Sequence, residues 1–508
     1  MRRLIIAYTG FIATFLAFGA VITLASPCWA ADYYVDQTGG NDSNTGLATD
    51  NAWKTLSKIA GYTFSCVDNV YLNRGETWRE ELLWPGCTAA SGSSMTFGAY
   101  GTGAKPLIQP TLNKSTTDDW TSYSDNVYYS AGTGLGASVV DVGNVIINGA
   151  TLFGIKKATS GEVDSLYEFW WDNTNKRVYI YAGGNPASVW TDIELGTRTT
   201  RLSALEINGT GQVNIQNIGF KYASSGGIYI RSSQNVIVES CDFNYNGGAY
   251  QLGNTTRLGN DVQVESSNDN ITVRYCRMNQ TYDGAISAQG ITGSESMTNY
   301  YFYRNVITNA GLSCLDFMQK ASSGNVDNVY YENNSCIYDN TANWAVTQRP
   351  DLKGLGFSHI SAMVAPTLKR VYIRNNLYSG SFNEAAYFIT GGTAGWTDNL
   401  TMTNNLYDQT GGGDNVIHWL GTEYTPAQFA TYQSESGKDA NSVYAVPLLK
   451  SSSDYHLNWS SPPRNAGVNT GWSPDYEGNG ISGAYDIGAY EYWPHLDASL
   501  SRLRGILK

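Results

Sequence analysis

Four acids, Asp261, Glu265, Asp283 and Asp316, fall on successive short segments in the middle of this chain. The segments 226–230, 259–265, 283–289 and 313–318 align on their apolar residues. Alternation along extended strands then sends Tyr229, Gln263, Ser287 and Asp316 outward in one column. Asp261 and Glu265 share that outward face, two residues to either side of Gln263, and Asp283 stands at the turn leading into its strand. Two carboxyls about 5–9 Å apart can cleave a glycosidic bond, one protonated as acid and one ionised as base or nucleophile. Neighbouring parallel strands are about 4.8 Å apart. Asp261 with Asp283, or Asp283 with Asp316, therefore falls at working distance. Lys320 and His359 border the group and complete the candidate catalytic set. Tyr229, Gln263, Arg257 and Trp344 are the candidate substrate-binding residues. The same oxygens could instead hold calcium, which takes roughly six to eight oxygen ligands; no metal ligand is assigned. Asp and Asn before Gly are also ordinary turn formers, and Asp283-Gly284 by itself reads as a turn.

The elements that position these residues come from a repeat. QVNIQNIGF, NVIVESCDF, NITVRYCRM, NYYFYRNVI, NVYYENNSCIY, RVYIRNNLY and NLTMTNNLY begin at residues 212, 235, 270, 299, 328, 370 and 399. Each opens on a polar residue, alternates apolar and polar, reaches Asn or Cys and closes on an apolar side chain. A loose period of about 20–50 residues marks a stacked solenoid. Here the unit is a strand, so the expected fold is all-β, a parallel β-helix. In register, Cys241, Cys276, Asn305, Asn334, Asn376 and Asn405 share one position. Stacked Asn amides can bond up such a column, and unpaired buried amides would be costly.

Two further segments carry a resemblance. Tyr33-Tyr34-Val35-Asp36, Gly39-Gly40-Asn41-Asp42, Asn44, Gly46 and Trp53-Lys54-Thr55-Leu56 resemble the opening of secreted bacterial right-handed parallel β-helix proteins, the pectate-lyase-like superfamily. Tyr485-Asp486-Ile487-Gly488-Ala489-Tyr490-Glu491 resembles the closing signature of the same group. The resemblance covers nearly the whole mature chain and implies a right-handed coil. For activity it implies only a carbohydrate-active class, because the superfamily holds lyases, hydrolases, epimerases and phage spikes. In its lyases, calcium neutralises a uronate while a Lys or Arg base takes the C5 proton. The polygalacturonase set (Asn-x-Asp, paired Asp-Asp, Gly-His-Gly, Arg-x-Lys) is absent, as are the epimerases' Asp-Pro-His-Asp and the Glu-x-Glu followed closely by Lys of calcium-dependent lyases. No known active site carries over. Hydrolysis of a polysaccharide leads because carboxylates outnumber basic residues around the candidate face. Calcium-dependent β-elimination and non-catalytic carbohydrate binding are the alternatives.

The rest of the chain divides around the coils. Residues 1–30 place two arginines before a long apolar run ending in Cys-Trp-Ala, which reads as a cleaved signal peptide and a secreted or periplasmic protein. No other stretch could span a membrane. Residues 31–110 form the N-terminal cap and first coils, and 201–410 the central coils. Residues 111–200 are a β-rich insertion, with a hairpin pairing 167–172 with 177–181 and Trp170 and Trp171 offering a sugar platform or core. Residues 411–508, beginning Gly411-Gly412-Gly413, hold the last coils, a cap over the open end and a leucine-spaced tail. The net charge of −12 argues against nucleic acid, and a monomer acting on a polysaccharide is expected. Cys66 and Cys87 are placed to pair, Cys241 and Cys276 either pair or stack as thiols, and no pairing is read for Cys314 and Cys336. His418 and His456 read as structural.

Overall fold

The computed structural model describes residues 30–494 except 66, 89–93, 131, 133, 254, 340–343, 350–357, 362–366, 381–386, 390–394 and 410–414. The side chains of 358, 359, 361, 367 and 387–389 also fall outside the description. The leader, Cys66, Gly411–Gly413 and the leucine-spaced tail therefore lie outside the described residues.

The chain coils into a right-handed parallel β-helix whose wall is three ten-stranded sheets, counted among the described residues. The first sheet runs from Asp32–Val35 through the repeat strands to Leu400–Thr403, every pairing parallel. The second holds Ile228–Arg231, Val262–Glu265, Gly284–Gly290, Ser313–Gln319 and Ser358–Ser361 side by side. The third is built from short strands such as Asp242–Asn244, Arg277–Asn279 and Val306–Thr308. One apolar core fills the bore, with Phe220 on Phe243 and Tyr378 on Tyr407 stacked at centroid distances of 5.1 and 5.3 Å.

The Asn column forms as a continuous ladder. Asn305 Nδ2 donates to Asn334 Oδ1 at 3.0 Å, Asn334 to Asn376 at 3.1 Å and Asn376 to Asn405 at 3.2 Å. The backbone N–H groups of Asn305, Asn334 and Asn376 donate to the same acceptors, and that of Cys276 to Asn305 Oδ1. Asn405 then donates to Asp439 Oδ1, which ends the ladder at 3.1 Å. The residue before each ladder position, Ser240, Tyr275, Arg304, Asn333, Asn375 or Asn404, is left-handed with φ near +55°. That corner turns the first sheet into the third, and Asn tolerates it better than most residues. The recurring Asn pairs follow from both demands at once. Cys241 and Cys276 lower in the column are buried free thiols, not a disulfide. Cys314 and Cys336 are joined, across Cα atoms 6.2 Å apart, and Cys87 is disulfide-bonded.

Both ends of the bore are closed by aromatic residues. At the N-terminal end the helix Leu56–Ala60 buries Leu56 and Ile59, and Trp53 packs on Tyr33 and Tyr62. A side chain at Gly40 would strike the Trp53 carbonyl, and one at Gly46, where φ is +78°, the Trp53 ring. At the far end the helix Phe429–Ser436 lays Phe429 and Tyr432 over Tyr407, Trp419 and Tyr424. The closing signature is not part of the cap over that end. It returns along the outside of the third sheet, where Ile487, Ala489 and Tyr490 cover Val306, Ile337, Leu377 and Leu406. There Arg304 and Glu491 form a buried ion pair at 2.8 Å. Outward apolar residues of the third sheet need cover, and this segment supplies it.

Within 111–200 the chain leaves the coil for two small sheets with their own core, including Phe169, Trp171, Ile180 and Trp190. The expected hairpin is present, with Glu168–Asp172 antiparallel to Arg177–Tyr181. Gly143 N–H donates to Ser224 Oγ at 2.7 Å and Asn144 Nδ2 to the Gly247 carbonyl at 3.1 Å, which seats the insertion on the coils.

Candidate active site

The second sheet carries the candidate face. Glu206, Tyr229, Gln263, Ser287, Asp316 and His359 are register partners on six successive strands. Through Asp316 they form the outward column that alternation predicts, with Glu206 as an added member; of His359 only the backbone position is described. Glu265 lies two residues along from Gln263, between Arg231 and Gln289 of the flanking strands. A cleft of about 370 Å³ opens over this face, lined by Tyr229, Gln263, Glu265, Asp283, Arg231 and Gln289 among others.

Hydrogen bonds hold these side chains in two connected sets. Asn260 Nδ2 donates to Gln263 Oε1 at 3.1 Å, and Gln263 Nε2 donates to Glu265 Oε2 at 2.8 Å. Gln289 Nε2 donates to Ser287 Oγ and to Asp316 Oδ2, both at 2.8 Å, and Ser287 Oγ to Asp316 Oδ2 at 3.0 Å. Burial and the adjacent Glu265 carboxylate hold the Tyr229 phenol well above its usual range. Asp283 is ion-paired with Arg349. Asp316 lies against the residue after Asp283, its Cβ 3.0 Å from where a Gly284 side chain would begin. With about 3.8 Å between neighbouring Cα atoms, Asp283 Cα lies within about 8 Å of Asp316 Cβ. The absence of a side chain at Gly284 permits this approach.

Four residues chosen from the sequence are placed elsewhere. Asp261 is fully buried in a corner, where it accepts from Asn246 Nδ2 at 2.9 Å and from Thr281 Oγ1. Alternation stops short of it because the strand begins only at Val262, after Gly259 turns the chain at φ +151°. Burial pushes its carboxyl up to about 7 despite those two donors. Arg257 does not reach the cleft; its guanidinium donates to the carbonyls of Gly248, Gly143 and Gln348 and to Gln348 Oε1. Trp344 is wholly buried against Tyr245 and Tyr282, so its ring is core and not a sugar platform. Lys320 is exposed past the end of its strand, its backbone N–H on Gly290, with no bond to the acids among the described residues. His359 holds the backbone position beside Asp316, but its side chain lies outside the described residues.

Arg349, Gln289, Asn260 and Arg231 belong to the site and were not selected by spacing. Gln289 could have been found by the same alternation that marks Ser287. Arg349 follows the helix Trp344–Gln348 and carries no local signal of its partner, 66 residues away.

Asp261 is turned inward, Asp283 faces a guanidinium, and the Asp316 oxygen is taken by two donors. A calcium shell needs several converging, unengaged oxygens. Among the described residues no group of three or more His, Cys, Asp or Glu side chains is arranged to hold a metal ion. Nor is any described helix long and apolar enough to cross a membrane.

No protein-family model matches the chain, and no curated protein matches it. Similar solved structures include one described as a glycoside hydrolase, 9% identical over 81% of this chain and 99% of its own, with a TM-score of 0.42. A GH136 lacto-N-biosidase from Eubacterium ramulus is 12% identical over 77% of this chain and 68% of its own, with a TM-score of 0.36. Pectate lyase Pel9A is 12% identical over 91% and 96%, also with a TM-score of 0.36. The stacked parallel sheets of the chain itself make its fold a parallel β-helix.

Proposed function

We propose that this chain is an exported carbohydrate-active enzyme and, within that class, a glycoside hydrolase acting on a polysaccharide. One observation carries the reading. Glu265 and Asp283 line a single cleft, and Asp316 packs against Gly284 beside them, each acid in a different setting. Hydrolysis needs such inequality, since one carboxyl must hold a proton while its partner stays ionised. Asp316, where burial at 4% exposure disfavours the ionised form, is the proton donor in this reading. Asp283, facing the Arg349 cation, is the ionised base or nucleophile. Glu265 and Tyr229 orient the sugar beside them.

The test is digestion of a polysaccharide panel by the mature protein, following reducing ends and the ultraviolet absorbance of unsaturated uronates in parallel, with and without EDTA. New reducing ends without that absorbance, unaffected by EDTA, are expected. Absorbance that EDTA abolishes would replace the hydrolase by a calcium-dependent lyase. No product from any polymer would leave a carbohydrate-binding protein.

A further inference from the structure

A second cavity, of about 530 Å³, lies where the insertion meets the arm 249–258 of the coils. Asp141, Lys156, Trp170, Trp171 and Tyr250 wall it. Gln251 and Leu252 line both this cavity and the cleft, so the two adjoin across the arm. Leu252 on that saddle is 53% exposed although apolar. Trp170 is half-buried, on the opposite side of its strand from the core residues Phe169 and Trp171. The polar wall carries little net charge. Lys156 Nζ is buried against both Asp141 oxygens, at 2.6 and 2.5 Å, and sits 4.3 Å from the Tyr250 ring centre. Lys157 is likewise matched by Glu168 at 2.6 Å.

We propose that this cavity is a distal subsite for a neutral sugar residue of the same glycan chain that enters the cleft. The proposal rests on the hydrolase reading for its choice of ligand. Aromatic and aliphatic faces at Trp170 and Leu252 meet the C–H face of a pyranose, while Asn173 and Thr255 meet its hydroxyls. An anionic uronate gains nothing from cations already paired. A polymer lying across the saddle would thus be held by the insertion while its next residues cross the acids.

The test is affinity electrophoresis in native gels containing xylan, galactan or homogalacturonan, with the full chain carrying Asp316→Asn so that the polymer survives. Retardation in a xylan or galactan gel is expected, with Trp170→Ala and Leu252→Asp each weakening it about tenfold. Trp170→Ala reports the subsite apart from the cleft, which Leu252 also lines, and Leu252→Asp on the exposed saddle reports it without disturbing the Trp170 contact with Tyr179. Equal retardation of Leu252→Asp and its parent would overturn the subsite. So would retardation only by homogalacturonan, or by no polymer. If variant retardation is unchanged while the wild type cleaves polysaccharide, the subsite fails and the hydrolase stands. If retardation weakens as expected while the wild type cleaves nothing, the hydrolase fails and the subsite stands.

Discussion

Two columns of side chains climb the same coils at the same spacing, one inside the wall and one outside. The inner column is nearly uniform, Asn305, Asn334, Asn376 and Asn405 repeating one set of bonds. The outer column changes at every step, from Glu206 to Tyr229, Gln263, Ser287 and Asp316. The inner residues solve a single problem, how to satisfy buried corner amides, and one answer serves every coil. Of the outer residues, Tyr229 and Gln263 line a cleft, and Ser287 and Asp316 bond to its wall at Gln289, where backbone pairing asks nothing of the side chain. Uniformity marks structure in this molecule and variety marks the site.

That contrast can be broken by paired substitutions. The largest effect is expected at Asp316→Asn, which should lower turnover about 1000-fold by removing the proton donor while leaving the urea unfolding midpoint in place. Turnover within tenfold of wild type would move the acid role to Glu265. Next comes Asn334→Ala, which strands several buried donors and acceptors and should cost about 4 kcal/mol in urea unfolding. Ser287→Ala in the outer column should cost under about 1 kcal/mol by the same measurement. Equal costs at the two positions would erase the distinction. Arg349→Gln should reduce turnover about tenfold, with Lys at that position restoring part of it, because the Asp283 carboxylate needs a cation more than a particular shape.

The smallest effect concerns pH. Asp261 is pushed up to about 7 by burial, and Glu491 is raised to about 7 by burial against the Arg304 charge that opposes it. The native state then holds protons that the unfolded chain has lost between about pH 4 and pH 7. Stability is therefore expected to fall as pH rises through that window and to level off above it. Asp261→Asn should flatten the slope, read from thermal midpoints across the window; an unchanged slope would assign it to other groups.

Alternation was enough to mark the coils, the Asn ladder, the hairpin of the insertion and the outward column with Gln263, Ser287 and Asp316. Each is a periodic demand that neighbouring residues satisfy locally, so it leaves a trace in residue order. Asp261 shows where this stops. Two positions from Gln263 the strand has already ended, and its carboxyl turns into a corner formed with Asn246 and Thr281. Trp344 and Arg257 had suitable chemistry, but burial depends on which elements pack over them. Here the insertion and a distant loop do so. The pairing of Arg349 with Asp283, the return of Glu491 to Arg304 and the saddle at Leu252 all join segments far apart in the chain. Such contacts exist only once coils, insertion and returning tail have closed on one another, and residue order carries no periodic sign of them.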